Sequence, residues 1–149
     1  MIDLKPLKDI ERLMDWRREV IRTVFDVEPD EALLKANRKY YESHIPDGSH
    51  LAFVAEMDGE EAGCGSICLT EELPSPDNPN GKCAYLMNIY VREAFREKGV
   101  GHAIVTRLME EAGKHECDKI YLETTSIGRG LYESLGFHDL PDMMKLSKI

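Results

Sequence analysis

YLMNIYVREAFREKGVGHAIVTRLMEEA, residues 85–112, contains a strand pattern, a charged turn and a helix pattern in succession. Residues 85–91 alternate and are rich in β-branched and aromatic side chains, which is typical of a β-strand. From residue 100 onward, apolar side chains recur every four residues, which predicts an amphipathic helix. These side chains belong to Val100, Ile104, Leu108 and Ala112. The stretch therefore predicts a strand that leads through a short turn into a long helix.

The turn reads Arg96-Glu97-Lys98-Gly99-Val100-Gly101 and places two glycines at the mouth of the helix. The first N–H groups of a helix have no partner within it, and glycine lets an anion approach them closely. The helix dipole adds about half a positive charge at the same point. A phosphate is therefore the natural occupant of this turn. The glycines could equally serve only to shape a tight connection between strand and helix.

The turn resembles the R-x-x-G-x-G signature of the GNAT superfamily of N-acetyltransferases, with Arg96, Gly99 and Gly101 at its fixed positions. Residues 130–137, GLYESLGF, resemble the L-Y-x-x-x-G-F segment of the same family. One helix and one strand separate the two matches, as they do in the family. The resemblance implies an N-acetyltransferase that uses acetyl-CoA as its cosubstrate.

The resemblance also implies which residues contact each part of the coenzyme. Main-chain amides of the turn would hold the pyrophosphate; they belong to Arg96, Glu97, Lys98, Gly99, Val100 and Gly101. The family splays its central parallel strands so that the pantetheine pairs with the first of them, which implies Ile89, Tyr90 and Val91. Thr125 aligns with an asparagine that touches the pantetheine in many relatives. Gly128, at the opening of the last helix, is assigned to the same site.

Direct attack of an amine on the thioester requires that the amine loses a proton and that the departing thiol gains one. Tyr132 matches the family's general-acid tyrosine, although it could instead only pack the last helix against the sheet. Glu123, at a strand end, is a candidate base, and a chain of waters is an alternative. Asn88 stands where several relatives carry a carboxylate. Its amide cannot accept the proton, so it would orient a water or the acceptor, or be an ordinary strand residue.

Composition limits the classes of function that fit. The 149 residues fit a single domain, residues 1–149, and the net charge of −9 argues against non-specific nucleic-acid binding. A local basic cluster could still serve an anionic ligand. Its candidates are Arg92, Arg96, Lys98 and Arg129. The acidic remainder would suit a cationic acceptor, namely a small-molecule or peptide amine, although acidity also serves solubility.

The cysteines and histidines do not have the spacing of a metal site or of a C-x-x-C pair. Cys64 and Cys68 would lie on one face of a strand as small core residues. The N-terminal MIDLKPLKDIERL lacks a signal-peptide pattern, and no run of about 18 apolar residues occurs. These features predict a soluble cytoplasmic protein with no metal and no membrane association. Because the family often dimerises, a homodimer is one state open to the chain.

The remaining patterns predict an α+β fold. Helices are expected at residues 9–25, 29–41, 99–115 and 128–135. Strands are expected at residues 2–7, 50–57, 61–70, 85–91, 119–123, 137–140 and 143–146. The crossover through the third helix should be parallel and right-handed. The resulting sheet is mixed and mostly antiparallel, with a parallel pair at its centre that the resemblance implies is splayed. Gly63 and Gly65 predict a bulge or a close backbone approach.

Two other functions fit parts of the pattern. A strand, a G-x-G turn, a helix and a strand ending in Glu123 imitate a dinucleotide-binding unit. In that unit the first glycine follows the strand directly, whereas here residues 92–98 intervene and Ile104 occupies the third glycine position.

A non-catalytic sensor would keep the acyl-CoA site and transfer nothing. Retention of Tyr132 favours catalysis, while Asn88 in place of a carboxylate leaves the sensor open.

Overall fold

The computed structural model describes residues 1–148, which form a five-stranded sheet with helices on both faces. The strands are β1 Ile2–Pro6, β2 His50–Met57, β3 Glu60–Glu71, β4 Lys82–Val91 and β5 Lys119–Leu122. The helices are α1 Ile10–Val24, α2 Glu31–His44, α3 Val100–Lys114 and α4 Arg129–Ser134. The strands follow one another across the sheet, and only β4 and β5 are parallel. The predicted α+β class with a mixed, mostly antiparallel sheet is confirmed.

Two predicted strands, residues 137–140 and 143–146, do not form. A strand with one buried face would alternate in exposure, but the neighbours Met143 and Met144 are 57% and 98% exposed. Pro141, between the two segments, has no N–H to donate to a ladder. As a result β5 has a partner on one side only, and the parallel pair lies at the edge of the described sheet instead of its centre.

α3 packs on one face of the sheet with a fully apolar stripe. Its side chains Val100, Ile104 and Leu108 are at most 1% exposed. Gly65 of β3 allows this close approach, because a Cβ there would lie 2.5 Å from Ile104 Cγ2. The prediction of a close backbone approach at this glycine is therefore confirmed.

α1 and α2 cover the opposite face, and aspartates cap both helices. Asp9 accepts a hydrogen bond from the Arg12 N–H at 3.1 Å, and Asp30 accepts one from the Leu33 N–H at 2.8 Å. Such caps satisfy amides that would otherwise lack a partner. The buried residues of this layer include Leu13, Met14, Trp16, Val20, Tyr41, Val54, Cys64 and Tyr90. No helix within residues 1–148 has both the length and the apolar character that a membrane crossing needs.

His50 of β2 is a buried titratable group under α2. Its Nδ1 lies 2.8 Å from the Tyr40 hydroxyl, and its Nε2 has no partner among residues 1–148. Burial, together with the charges of His44 and Arg17, lowers the pKa of His50 from 6.5 to about 4. The imidazole is therefore neutral in the folded protein at pH values where an unfolded chain would begin to protonate it.

Stability is accordingly expected to fall as the pH drops from 6.5 toward 4, because the unfolded state binds the proton first. A pKa lowered from 6.5 to about 4 corresponds to a loss of about 2 kcal/mol at about pH 5. His50→Phe should remove this part of the pH dependence in urea unfolding, whereas His102→Phe, at an exposed site on α3, should leave it in place. If the free energy of unfolding of His50→Phe falls with decreasing pH as steeply as that of the parent protein, His50 is not the source of this pH dependence.

Candidate active site

β4 and β5 run side by side for only four residue pairs before they separate. Leu86 and Leu122 form the last pair, whereas β4 continues to Val91. We call the space between residues 87–91 and the end of β5 the strand gap. It lies directly beside the turn that leads to α3.

A bulge in β4 opens the strand gap. Between the pairs Ser66–Met87 and Cys64–Tyr90, β3 has one residue and β4 has two. The first of the two is Asn88, whose φ is +56°. Asparagine is one of the few residues besides glycine that tolerate this left-handed backbone. Because a bulge bends and twists its strand, it accounts for the end of pairing between β4 and β5.

The main-chain groups of Ile89 and Val91 face the strand gap. The N–H of Arg92 donates to the Ala62 carbonyl on β3 at 2.8 Å. Main-chain groups alternate sides along a strand, so those of Ile89 and Val91 point away from β3. Those of Tyr90 point toward β3, and its ring is buried under α1. Of the three residues predicted to pair with pantetheine, two therefore present main-chain groups to the gap.

The turn before α3 leaves the start of that helix open. Gly99 is the N-cap residue, with φ of +85°, and it makes no side-chain capping hydrogen bond. Glu97 also has a left-handed φ, of +61°. Arg96 Nε donates to the Val91 carbonyl at 3.2 Å and so ties the turn to β4. The first amides of α3, which carry the positive end of the helix dipole, are thus available to an anion.

Gly101, in the first turn of α3, contacts α4. A Cβ at this position would lie 3.2 Å from Leu131 Cδ2 and 3.8 Å from Val91 Cγ2. The glycine therefore lets α4 pack against the start of α3. This contact sets the position of Tyr132, the next residue on α4, relative to the predicted phosphate turn.

Two of the four cations predicted to form a basic cluster are paired with carboxylates. Arg92 donates through Nε and Nη2 to the two oxygens of Glu19, at 2.9 Å each. Arg129 forms a salt bridge with Asp139 beyond α4. Arg96 and Lys98 form no salt bridge with a carboxylate of residues 1–148. Arg92 and Arg129 are therefore paired cations, and the candidates that are left for a basic cluster at the turn are Arg96 and Lys98.

Tyr132 lies on α4 with its ring packed edge-on against Phe137, at a centroid distance of 5.9 Å. Burial raises the pKa of its phenol above the ordinary value. Its hydroxyl has no hydrogen-bond partner among residues 1–148. Together with Glu123 and Thr124 it lines a cavity of about 530 Å³ beside β5. A half-buried, protonated phenol of this kind can act as a proton donor.

Glu123 follows the last residue of β5 and accepts a hydrogen bond from the Tyr85 hydroxyl at 3.1 Å. Burial, followed by the charge of Glu123, raises the pKa of Tyr85 to about 12. The phenol therefore stays protonated and holds one oxygen of the carboxylate. Tyr85 pairs with Cys68 of β3, whose side chain contacts Tyr40 on α2, so this hydrogen bond lies on the α1 and α2 face of the sheet.

The loop between β5 and α4 is folded on itself at Thr125. The Thr125 carbonyl accepts from the Thr124 hydroxyl at 3.0 Å and from the Gly128 N–H at 3.2 Å. The side chain of Thr125 is exposed. A Cβ at Gly128 would lie 2.5 Å from Thr124 Oγ1, so only glycine fits this turn without a shift. Thr125 and Gly128 therefore lie between Glu123 and Tyr132 at one end of the strand gap.

Asn88 is held by a residue that sequence reasoning missed. Its side-chain oxygen accepts from Arg17 Nη1 of α1 at 2.8 Å. A signal was present, because Arg17 lies three residues after Met14 and four before Ile21, both of which are buried. A cation on the apolar stripe of an amphipathic helix indicates a polar site beneath it. Within residues 1–148, Asn88 forms no side-chain hydrogen bond with a carboxylate.

These features lie along β4, β5 and the two helices that follow these strands. The open N-terminus of α3 can accept an anion, and main-chain groups of Ile89 and Val91 point away from β3. The phenol of Tyr132 and the carboxylate of Glu123 line one cavity beside β5. A long coenzyme that has a diphosphate at one end and a thioester at the other requires such an arrangement. The arrangement therefore fits the class of coenzyme A-dependent acyltransferases. The chain belongs to the Acetyltransferase (GNAT) family, whose model matches residues 10–137.

Curated relatives agree with this family membership. An uncharacterised N-acetyltransferase, YjgM, from Escherichia coli K12 is 32% identical over 94 residues, which are 61% of this chain and 53% of the relative. A thialysine N-ε-acetyltransferase from Sus scrofa is 29% identical over 97 residues, which are 50% of this chain and 57% of the relative. The chain thus spans about half the length of the curated relatives it matches.

Solved structures show the same fold along the whole chain. A predicted acetyltransferase with acetyl-CoA from Clostridium acetobutylicum has a TM-score of 0.86 at 24% identity, over 99% of this chain and 96% of that chain. At this identity the likeness concerns the fold alone. The predicted family is confirmed by the family model, which describes an acetyltransferase family. The reaction and the coenzyme of this chain stay proposals. The roles of individual residues stay predictions.

Proposed function

We propose that this chain transfers the acetyl group of acetyl-CoA to a primary amine. The observation that carries the proposal is the strand gap, where main-chain groups of Ile89 and Val91 point away from β3 between the open start of α3 and the end of β5. A structural neighbour that contains acetyl-CoA and a relative that acetylates the amine of thialysine support the same reaction. The diphosphate of the coenzyme would lie on the amides from Arg96 to Gly101.

In the proposed reaction the amine nitrogen attacks the thioester carbonyl carbon directly. The carbonyl oxygen gains negative charge, which an N–H of Ile89 or Val91 in the gap would stabilise. The C–S bond then breaks, and Tyr132 gives its proton to the CoA sulfur. The raised pKa of the phenol suits this role, because the group stays protonated at neutral pH.

The amine must lose a proton during the attack, and Glu123 is the base that the geometry supports best. Its carboxylate is oriented by Tyr85 and borders the gap on the β5 side. Asn88, on the β4 side, cannot accept the proton and is instead bonded to Arg17. Its proposed role is to position the arginine beside the acceptor. A chain of waters leading to Glu123 is compatible with the same scheme.

The transfer is tested by measuring CoA release from acetyl-CoA with a panel of amines. Because the protein itself has four free cysteines, CoA should be quantified by chromatography instead of with a thiol reagent. We expect release that depends on an acceptor, together with one acetylated product per CoA. Binding of acetyl-CoA in calorimetry without release for any amine would contradict catalysis and identify a sensor.

The cytoplasmic location and the homodimer also stay proposals. Both rest on composition and on analogy with the family, and gel filtration with light scattering would test the second. A single domain over residues 1–149 is proposed on the same footing, since one sheet runs through the described residues.

A further inference from the structure

Arg17 is a half-buried cation whose only hydrogen-bond partners among residues 1–148 are neutral. Its Nε donates to the side-chain oxygen of Asn37 on α2 at 3.0 Å, and its Nη1 donates to that of Asn88 on β4 at 2.8 Å. Its guanidinium carbon lies 5.7 Å from the centre of the Phe25 ring. No carboxylate of the described residues forms a salt bridge with it. Nη2 and one hydrogen of Nη1 are therefore left to bind something else.

Other arginines of the same helical layer are paired. Arg92, on the same face of the sheet, holds both oxygens of Glu19, and Arg18, the next residue on α1, is 3.0 Å from Asp15. Acidic residues are not scarce, since the chain has 28 of them against 19 basic residues. A guanidinium that is partly withdrawn from water without a counter-ion is unfavourable. A ligand that supplies a carboxylate at Arg17 would offset this cost through charge-assisted hydrogen bonds.

Arg17 and Glu123 lie on the same face of the sheet and on opposite sides of the strand gap. Asn88, which binds Arg17, is on the β4 bulge, and Glu123 follows β5 and is bonded to Tyr85 on the α1 and α2 face. The opening on this face thus has a cation on one side and an anion on the other. A molecule with both an amine and a carboxylate matches this arrangement, with its amine toward Glu123 and the thioester.

We propose that the acceptor is an amine that also bears a carboxylate, and that Arg17 binds this carboxylate while Asn37 and Asn88 hold the guanidinium in place. The proposal rests on the acetyl transfer proposed above and narrows its acceptor to amino-acid-like molecules. It makes Arg17 a residue that determines which amine is used.

Matched pairs of amines that differ only in the carboxylate test this assignment. Suitable pairs are L-lysine with 1,5-diaminopentane, L-phenylalanine with 2-phenylethylamine, and β-alanine with ethylamine. We expect the parent protein to have a higher kcat/KM for the carboxylated member of at least one pair. Arg17→Gln should lower that preference by about 10- to 100-fold through the KM of the acceptor, because charge-assisted hydrogen bonds are lost. Arg17→Lys should keep part of it.

Arg18→Gln is the matched control, because it removes the neighbouring cation of α1 and should leave the preference unchanged. If Arg17→Gln lowers both members of a pair equally, Arg17 only ties α1, α2 and β4 together and the proposal is wrong. If decarboxylated amines are acetylated and carboxylated ones are not, the proposal fails while the acetyl transfer stands. If calorimetry detects no binding of acetyl-CoA to the parent protein, the proposed acetyl transfer is wrong, and the proposed role of Arg17 is then wrong as well.

Discussion

Replacing Gly99 and Gly101 together by valine is expected to raise the Kd for CoA by about 100-fold or more. Gly99 has φ of +85°, where a side chain costs about 1–2 kcal/mol. A Cβ at Gly101 would press on Leu131 at 3.2 Å and place side-chain atoms at the helix start where the phosphate would lie. Each hydrogen bond from an amide to a charged group contributes about 1.5–3 kcal/mol. The combined loss is therefore about 3 kcal/mol or more, which is about 100-fold in Kd.

The matched control is the double variant Gly48→Val/Gly113→Val. Gly48 has φ of +79° and Gly113 lies on α3, and a Cβ at either position would meet nothing within 4 Å. The control therefore repeats one change at positive φ and one change on α3, both away from the turn. Calorimetric titration with CoA should give the parent Kd for the control. Unchanged CoA binding by the Gly99→Val/Gly101→Val variant would overturn the location of the diphosphate and, with it, the proposed function.

Tyr132→Phe is expected to lower kcat by about 100-fold while the Kd for CoA stays within about twofold of the parent value. The variant keeps the ring that packs against Phe137 and removes only the proton that would go to the CoA sulfur. Because burial raises the pKa of the phenol, kcat of the parent should not fall through loss of this proton until the pH exceeds about 10. The measurement is steady-state CoA release as a function of pH, together with calorimetry for the Kd.

Tyr41→Phe is the control for the loss of a buried phenol as such. Tyr41 lies in α2 and is 4% exposed, and its hydroxyl donates no hydrogen bond within residues 1–148. Its variant should keep the parent kcat. If Tyr132→Phe also keeps the parent kcat, the thiolate leaves without help from this residue. The side chain of Tyr132 then only packs α4 against the sheet, which is the alternative role that the sequence allows for this residue.

Much of the frame around the site follows from local patterns. The alternation in residues 85–91 and the four-residue spacing from Val100 each report a main-chain conformation that repeats along the chain, and β4 and α3 lie where these patterns predict them. Gly99 and Gly101 at the junction also predicted an open helix start. The final strands failed because a strand needs a partner edge as well as a suitable pattern, and residues 137–146 pair with no strand among the described residues.

The bulge at Asn88 and the site around Arg17 were not predicted. The strand pattern predicts an ordinary strand conformation for Asn88, whereas its backbone has φ of +56° and forms the bulge that opens the strand gap. Arg17 is one charge among several on the amphipathic helix α1, and the helix pattern does not set it apart. Its partners Asn37 and Asn88 are 20 and 71 residues away in the chain, so no local pattern could connect the three.

The sequence by itself determined the family, the order of the elements and the glycine turn that starts α3, because these depend on residues close together in the chain. Only the tertiary structure decided that β4 leaves β5 after Leu86, that Arg92 is neutralised by Glu19, and that Arg17 is not neutralised by any carboxylate of residues 1–148. The physical reason is that charge pairing and strand separation depend on which distant side chains and edges the packing of helices on the sheet brings together.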